Sequence, residues 1–237
     1  MIDNFTFYSL NEVTSTQDVA RSLAKEGKLQ HALVVTATSQ SSGRGRYDRI
    51  WVSPEGGLYM TIVLKPRKAI ELWSQLSYVV GISLSEAITQ IDPVCAPKLK
   101  WVNDVLLGSK KVAGILLELL GDDTIRIGIG VNIETNASID EALGASLNKR
   151  STKFSGERLM DVLLRRFNYN YNLWCDKGFE PVRNLWIRMA YGIGKGIEIK
   201  LRDRTQVGTF IGVDEMGNLQ LLGRGVTIIN AGDVFFH

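Results

Sequence analysis

A loop rich in glycine and arginine is the first segment of this chain whose residue types could do chemistry. It runs Gly43-Arg44-Gly45-Arg46-Tyr47-Asp48-Arg49-Ile50-Trp51. The glycines let the backbone approach a ligand closely, and the guanidinium groups can neutralise a phosphate or a carboxylate. The pattern is neither G-x-G-x-x-G nor a P-loop, which would need G-K-[ST]. It predicts an anion-binding loop, or else a solvated basic loop beside a core tryptophan.

Two lysine-bearing segments follow. Residues 98–104 read KLKWVND and predict a basic strand that ends in an amide and a carboxylate. Lys110-Lys111 leads into an almost wholly apolar run, so the Lys111 ammonium could be partly desolvated and directed inward. A basic strand end that meets a basic loop could cradle a polyphosphate. The alternatives are an edge strand whose lysines prevent aggregation and a solvated hairpin.

A fourth segment places glycine at alternate positions, in Ile127-Gly128-Ile129-Gly130-Val131-Asn132. On a strand this spacing removes side chains from one face, so a flat ligand or another backbone can lie there. The glycines could equally serve a bulge or a tight bend. Together the four segments describe phosphate-binding groups above an apolar floor.

No side-chain nucleophile accompanies these segments. The sequence has no G-x-S-x-G motif, no Ser-His-Asp signature and no plausible cysteine–histidine pair. Its two histidines do not support a zinc site. The residues alone therefore predict a protein that handles a nucleotide or an anionic small molecule.

Helices and strands must position these segments, and apolar spacing predicts them. A helix capped by Ser15 should end near Gly27, and further helices should span 72–91, 158–174 and 181–190. Strand patterns occur at 32–36, 58–64, 98–101, 105–107, 112–120, 124–133, 197–201, 207–213, 219–222 and 226–229.

Turn residues indicate how the strands connect. Gly108-Ser109 and Gly121-Asp122-Asp123 predict antiparallel hairpins. We therefore expect an α+β domain with a mixed, mostly antiparallel sheet over residues 1–190. Residues 191–237 should form a small all-β module.

Composition excludes several classes of protein. The chain has 237 residues, 45% of them hydrophobic and 22% charged, with a net charge of +3. These values are typical of a globular protein and unlike those of a disordered chain, a coiled coil or a membrane bundle. No signal peptide or membrane span is predicted, and the charge is too small for a dedicated nucleic-acid binder. Two distant cysteines favour reduced thiols and a cytoplasmic location.

From about Ser9 to Phe236, the chain resembles biotin protein ligases, also called biotin–[acetyl-CoA-carboxylase] ligases. The family's motifs occur here in order, which makes the resemblance specific. They are Ser15-Thr16-Gln17 for an S-T-N start, GRGRxxxxW at 43–51, KWxND at 100–104, K-x-x-G-I-L at 111–116 and G-x-G-x-N at 128–132.

The resemblance implies a catalytic domain similar to class II aminoacyl-tRNA synthetases, followed by a C-terminal SH3-like β-barrel. It implies that biotin and ATP form biotinyl-5′-AMP with Mg²⁺ present, and that biotin then passes to a lysine of a biotin carboxyl carrier protein. A homodimer is also expected. Because the Ser15 motif lies so near the start, we expect a monofunctional form that does not bind DNA.

The resemblance also implies site residues. Lys111, Arg46 and Asp104 would be catalytic, and Asp104 would also be a metal ligand. Biotin would contact Ser15, Thr16, Gln17, Gln40, Gly43, Arg44, Gly45, Arg46, Lys111, Gly114, Ile115, Leu116, Gly128 and Gly130. ATP would contact Arg44, Arg46, Trp51, Lys100, Asn103, Lys111 and Asn132.

Four positions depart from the family pattern. Gln17 replaces the usual Asn, Val102 replaces the usual Pro, and Tyr47-Asp48 replaces small or basic residues. Two other functions remain open: a lipoate–protein ligase, which would lack GRGRxxxxW and KWxND, and a non-catalytic, biotin-responsive regulator. The presence of Lys111, Arg46 and Asp104 argues against a non-catalytic protein.

Overall fold

A mixed seven-stranded sheet is the centre of the fold. The computed structural model describes residues 2, 4–134, 145–148, 153–201 and 204–236. The strands lie in the order β1-β2-β3-β7-β6-β5-β4, with β1 parallel to β2 and the other pairs antiparallel. They are β1 (Phe5–Val13), β2 (Ala32–Gln40), β3 (Leu58–Leu64), β4 (Pro97–Lys100), β5 (Asp104–Leu107), β6 (Lys110–Leu119) and β7 (Ile125–Val131).

Within the described ranges, four α-helices pack on this sheet: α1 (Thr16–Lys25), α2 (Leu76–Ile91), α3 (Gly156–Lys177) and α4 (Phe179–Met189). Ser15 caps α1, because its side-chain oxygen accepts a hydrogen bond from the Gln17 amide at 3.3 Å. The helix predicted from residue 72 begins instead at Leu76. A 3-10 helix, Ile70–Gln75, precedes it.

Alternation along the strands gives the sheet two different faces. One face carries Leu33, Val35 and Val63, which pack with Ala20 of α1 in a small cluster. The opposite face carries the main core, which includes most of α2 and α3. The predicted hairpins β5–β6 and β6–β7 are confirmed. Their register decides which side chains stand on the α1 face.

The C-terminal part forms a five-stranded antiparallel sheet in the order β11-β10-β9-β8-β12. Its strands are β8 (Gly196–Lys200), β9 (Thr205–Val213), β10 (Leu219–Leu222), β11 (Val226–Ile229) and β12 (Asp233–Phe236). Within the described residues, β11 and β12 do not pair to close a barrel. The strands β1 and β12 were not predicted from the sequence.

The two sheets share one hydrophobic core. Ile197, Ile199 and Phe210 belong to the same buried cluster as α2 and α3. The carbonyl oxygen of Gly217 accepts hydrogen bonds from the Tyr78 hydroxyl and, at 3.1 Å, from the Trp101 indole. The C-terminal sheet is thereby held against the end of β4. Across the described ranges, no helix is long and apolar enough to cross a membrane.

Candidate active site

A cavity of about 320 Å³ lies on the α1 face of the seven-stranded sheet. It brings together all the predicted site residues except Gly43 and Lys100. Its lining also includes six residues outside the predicted catalytic, biotin and ATP sets: Arg49, Ile50, Val52, Met60, Ile129 and Asp233.

Glycines form part of the cavity floor. Gly114 of β6 lies directly opposite Gly130 of β7, and Leu116 lies opposite Gly128. A Cβ atom at Gly130 would lie 2.5 Å from the indole nitrogen of Trp51, and one at Gly114 would lie 3.1 Å from the same ring system. The absence of side chains on this face therefore makes room for the Trp51 indole, which packs across both strands.

The start of α1 supplies a buried polar wall. Thr16 donates its backbone N–H to the side-chain oxygen of Gln40 at 2.9 Å, and its hydroxyl accepts from Thr61 at 2.9 Å. The Gln40 amide nitrogen in turn donates to Ser53 at 2.8 Å. These hydrogen bonds link α1, β2, β3 and Ser53, and they therefore fix the orientation of the Thr16 and Gln40 side chains.

Gln17 fills the space above Gly128. Its amide nitrogen donates to the backbone oxygen of Leu116 at 3.2 Å, and a Cβ atom at Gly128 would lie 2.7 Å from that nitrogen. The side-chain oxygen of Gln17 is buried and accepts no hydrogen bond from the described residues. A buried acceptor on the cavity wall is suited to an N–H donor of a ligand.

Lys111 is the central cation of the cavity. Its ammonium lies 2.7 Å from a carboxylate oxygen of Asp104 and 5.1 Å from the centre of the Trp51 ring. Both side chains of the ion pair are mostly buried, with exposed fractions of 30% for Lys111 and 19% for Asp104. A partly desolvated ammonium interacts more strongly with an anion than an exposed one does.

The Gly-Arg loop is ordered as a narrow hairpin. Arg44 and Ile50 form an isolated antiparallel bridge, and the Trp51 amide donates to the Gly43 oxygen at 2.9 Å. Gly43 is buried at the base of this hairpin, where a Cβ atom would meet the Trp51 oxygen and Ser53. Gly43 therefore shapes the loop from outside the cavity.

The tip of the loop departs from ordinary backbone geometry. Tyr47 and Asp48 have φ values of 56° and 57°, in the left-handed region that non-glycine residues seldom adopt. Arg46 donates to the Tyr47 hydroxyl at 2.8 Å and to the Asn103 side-chain oxygen at 3.3 Å. Asn103 also donates to the Ile115 oxygen at 2.9 Å, so it links the loop to β6.

The C-terminal sheet reaches the mouth of the cavity through Asp233. Its carboxylate forms an ion pair with Arg49 of the Gly-Arg loop. Lys100 lies close by, with its ammonium about 6 Å from the rings of Phe235 and Phe236. Burial lowers the pKa of Lys100, and the nearby Asp104 carboxylate acts in the opposite direction. Lys100 does not line the cavity.

Two further charged side chains lie beside the cavity: Arg126, which is buried, and Glu118, which is half-buried. They are directly opposed on β7 and β6. The sequence did not single them out, although Glu118 lies two residues after Leu116 and Arg126 lies two residues before Gly128. Asp233 was missed for a different reason, since only the packing of the second sheet brings it to the Gly-Arg loop. Alternation along β6 and β7 could have placed Glu118 and Arg126 on the glycine face.

Asp104 is the carboxylate beside Lys111 that could hold Mg²⁺. No group of three or more His, Cys, Asp or Glu side chains converges within the part of the chain that the structure describes. Mg²⁺ usually binds through one or two carboxylates together with substrate phosphates. Asp104, which lines the cavity, fits that mode of binding.

Sequence comparison identifies the two parts of the chain. Residues 10–134 match the Biotin/lipoate A/B protein ligase family, and residues 192–237 match the Biotin protein ligase C terminal domain. The biotin--[acetyl-CoA-carboxylase] ligase of Paracoccus denitrificans is 34% identical over 221 residues, which cover 85% of this chain and 89% of that protein. The bifunctional ligase/repressor BirA of Bacillus subtilis is 30% identical over 233 residues, or 94% of this chain and 71% of the relative.

Solved structures agree with these matches. The biotin protein ligase from Aquifex aeolicus, solved in complex with biotin and ATP, superposes with a TM-score of 0.85. It is 28% identical to this chain, and the match covers 98% of both chains. The chain therefore belongs to the biotin/lipoate A/B protein ligase family, as one of its biotin protein ligases.

Proposed function

We propose that this protein is an ATP-dependent biotin protein ligase. It forms biotinyl-5′-AMP from biotin and ATP, and then transfers biotin to a lysine of a biotin carboxyl carrier protein. The observation that carries this proposal is the cavity, which gathers residues from all five sequence motifs around Lys111. Family membership and the relatives' names support the same activity.

Biotin occupies the end of the cavity near α1 in this proposal. The unpaired oxygen of Gln17 and the hydroxyl of Thr16 offer polar contacts to the ureido ring, and Gln40 holds Thr16 in place. Ser15, Gly114, Ile115, Leu116, Gly128 and Gly130 complete the apolar and backbone surroundings. The carboxylate of biotin then points toward Lys111.

In the first step, a biotin carboxylate oxygen bonds to the α-phosphorus of ATP, and the bond to the bridging oxygen of pyrophosphate breaks. Lys111 stabilises the negative charge that develops on the phosphoryl oxygens. Arg46 and Arg44 belong to the loop that covers the intermediate, while Trp51, Asn103 and Asn132 line the nucleotide part. No protein nucleophile is needed, because catalysis rests on positioning and charge neutralisation.

In the second step, the amine of the carrier lysine bonds to the acyl carbon of biotinyl-5′-AMP. AMP leaves with the electrons of the broken anhydride bond, and the amine loses a proton. Asp104 orients the incoming amine.

Mg²⁺, held by Asp104 with the ATP phosphates, would neutralise phosphate charge. Lys100, whose charge interacts with those of Asp104 and Lys111, adds a positive charge near the phosphates.

Several finer features are part of the proposal. The catalytic part is residues 1–190, and residues 191–237 form the C-terminal module. The working unit is a homodimer in the cytoplasm. The exposed side chains of Phe7 and Leu10 on the edge strand β1 support a contact through that sheet edge. Measurement of mass in solution tests the dimer directly.

The decisive experiment is biotin-dependent exchange of pyrophosphate into ATP by the purified protein, with lipoate as the parallel substrate. Exchange with biotin alone, followed by biotin transfer to a carrier domain, is the expected result. Exchange with lipoate alone would keep the chemistry and overturn the substrate. Exchange with neither substrate, in protein with intact secondary structure, would overturn the proposed activity. A titration of Mg²⁺ in parent and Asp104→Asn protein tests the metal ligand.

A further inference from the structure

Five side chains of alternating charge form a continuous chain beside the cavity. Asp18 lies 3.3 Å from Arg21 and 3.0 Å from Arg44, and Glu118 lies 3.3 Å from Arg44 and 3.5 Å from Arg126. These ion pairs connect α1, the Gly-Arg loop, β6 and β7. We call the five residues the charge chain.

Arg126 is the buried end of the charge chain. Its side chain is 7% exposed, and burial lowers its pKa, which the nearby Glu118 carboxylate opposes. One guanidinium nitrogen donates to the backbone oxygen of Gln17 at 2.7 Å. Burial of a guanidinium is costly unless it is paired and hydrogen-bonded. The ion pair with Glu118 offsets part of that cost, and it holds the Glu118 carboxylate next to Arg126.

The charge chain touches the site at two points. At one point Arg126 holds the backbone of Gln17, whose side-chain oxygen is unpaired on the cavity wall. At the other point Glu118 holds Arg44, which lies in the loop that bounds the cavity. Since Glu118 also faces Arg126 across the β6–β7 pair, one carboxylate joins the two points.

We propose that Glu118 and Arg126 are positioning residues for biotin, which fix the start of α1 and the Gly-Arg loop relative to each other. The proposal rests on the proposed function, because it assumes that biotin lies between Gln17 and the loop. Neither residue lines the cavity. Their effect on biotin is therefore indirect, through the Gln17 backbone and the Arg44 side chain.

The test begins with Glu118→Gln, which keeps the shape of the side chain and removes its charge. The KM for biotin in pyrophosphate exchange should rise roughly five- to tenfold, while kcat changes less than about twofold, because binding geometry and not charge stabilisation is lost. Trypsin should also cut after Arg44, Arg46 or Arg49 several times faster, since the loop loses one of its anchors. The trypsin measurement does not depend on the protein's being a biotin ligase.

A double variant separates positioning from simple stabilisation. Glu118→Gln leaves Arg126 buried without its carboxylate, so the melting temperature should fall. Adding Arg126→Met removes the unpaired cation and should restore much of the melting temperature. The KM for biotin should nevertheless stay raised. If the KM returns to the parent value together with the melting temperature, the charge chain has only a structural role and the proposal is wrong.

Asp123→Asn is the matched control. Asp123 lies at the turn of the β6–β7 hairpin, which also carries Glu118 and Arg126. It pairs with Lys65 at 2.6 Å, and both side chains are exposed. Its loss should leave biotin KM and loop cleavage unchanged. A parent protein that fails to exchange with biotin contradicts the proposed function. Unchanged trypsin cleavage and KM in Glu118→Gln, with an active parent, contradict the positioning role alone.

Discussion

The ammonium of Lys111 lies 2.7 Å from the Asp104 carboxylate, so the cation proposed to meet the α-phosphate is already paired with an anion. In the register of β5 and β6, Asp104 lies opposite Gly114 and Lys111 lies opposite Leu106, so the two charged side chains meet diagonally across the strand pair. In the proposed mechanism, a substrate phosphate competes with Asp104 for Lys111. The pair therefore keeps the cation in place before ATP arrives.

Replacement of Lys111 by Ala should abolish most adenylation. We expect biotin-dependent pyrophosphate exchange to fall by about 10²- to 10³-fold, the range seen when one group that stabilises transition-state charge is removed. Lys110→Ala is the control, because Lys110 is exposed and lies outside the cavity lining. Exchange by Lys111→Ala at the parent rate would show that another group stabilises the phosphoryl charge.

Addition of a methyl group at Gly130 should disturb the cavity floor. A Cβ atom there would lie 2.5 Å from the Trp51 indole nitrogen, so the ring must move in Gly130→Ala protein. We expect a shift in tryptophan fluorescence and a rise of roughly tenfold in the KM for ATP, with a stability loss of about 1–3 kcal/mol from overpacking. Gly196→Ala, where no atom lies within 4 Å of the added carbon, should change neither quantity. Unchanged fluorescence and KM in Gly130→Ala would mean that the indole does not depend on this space.

Loss of the Arg49–Asp233 ion pair should loosen the loop at the mouth of the cavity. Asp233→Asn should release biotinyl-5′-AMP a few times faster, measured by the loss of labelled intermediate after gel filtration. Because Arg49 is 62% exposed, the stability cost should stay below about 1 kcal/mol. The control is Asp161→Asn, which breaks an exposed pair with Arg165 on α3. Equal rates of biotinyl-5′-AMP release from the parent, Asp233→Asn and Asp161→Asn proteins would contradict a role for the C-terminal sheet in retaining the intermediate.

Stability should decline at alkaline pH through Tyr59. Burial raises the pKa of Tyr59 to about 12, above the ordinary value of 10.0, and its hydroxyl donates to the Pro54 oxygen. Folding therefore disfavours the ionised form. The contribution of the un-ionised Tyr59 hydroxyl to the free energy of unfolding is fully present below pH 10 and is lost as the pH rises from 10 to 12. The unfolding free energy of the parent should fall by about 2 kcal/mol more than that of Tyr59→Phe over this interval. If the free energies of unfolding of the parent and of Tyr59→Phe fall in parallel over this interval, the raised pKa of Tyr59 is contradicted.

Local patterns were sufficient to predict most of the elements. The Ser15 cap, the hairpin turns at Gly108-Ser109 and Gly121-Asp122-Asp123, and the glycine alternation at 128–130 all correspond to the structure. Each of these signals depends on neighbouring residues alone. Capping and turn chemistry are local, so the tertiary structure did not need to be known.

The missed features depend on contacts between distant segments. Strand β1 pairs only at one edge and in parallel with β2, and its sequence lacks the alternation of a half-buried strand. Strand β12 follows the turn Asn230-Ala231-Gly232 and pairs with β8, which is distant in sequence. Asp233 reaches the site only because β12 pairs with β8 and the two sheets pack together. No spacing in the sequence encodes that approach.

The carbonyl oxygen of Gly217, which serves both Tyr78 and Trp101, limits how such proteins can be recombined. Two aromatic donors from the catalytic part converge on one backbone atom of the C-terminal sheet. In a chimera with a crossover near residue 190, we expect Tyr78 and Trp101 to lose their acceptor unless the incoming sequence presents a carbonyl at that same point. The C-terminal module and these two aromatic donors therefore have to be matched when parts of such proteins are exchanged.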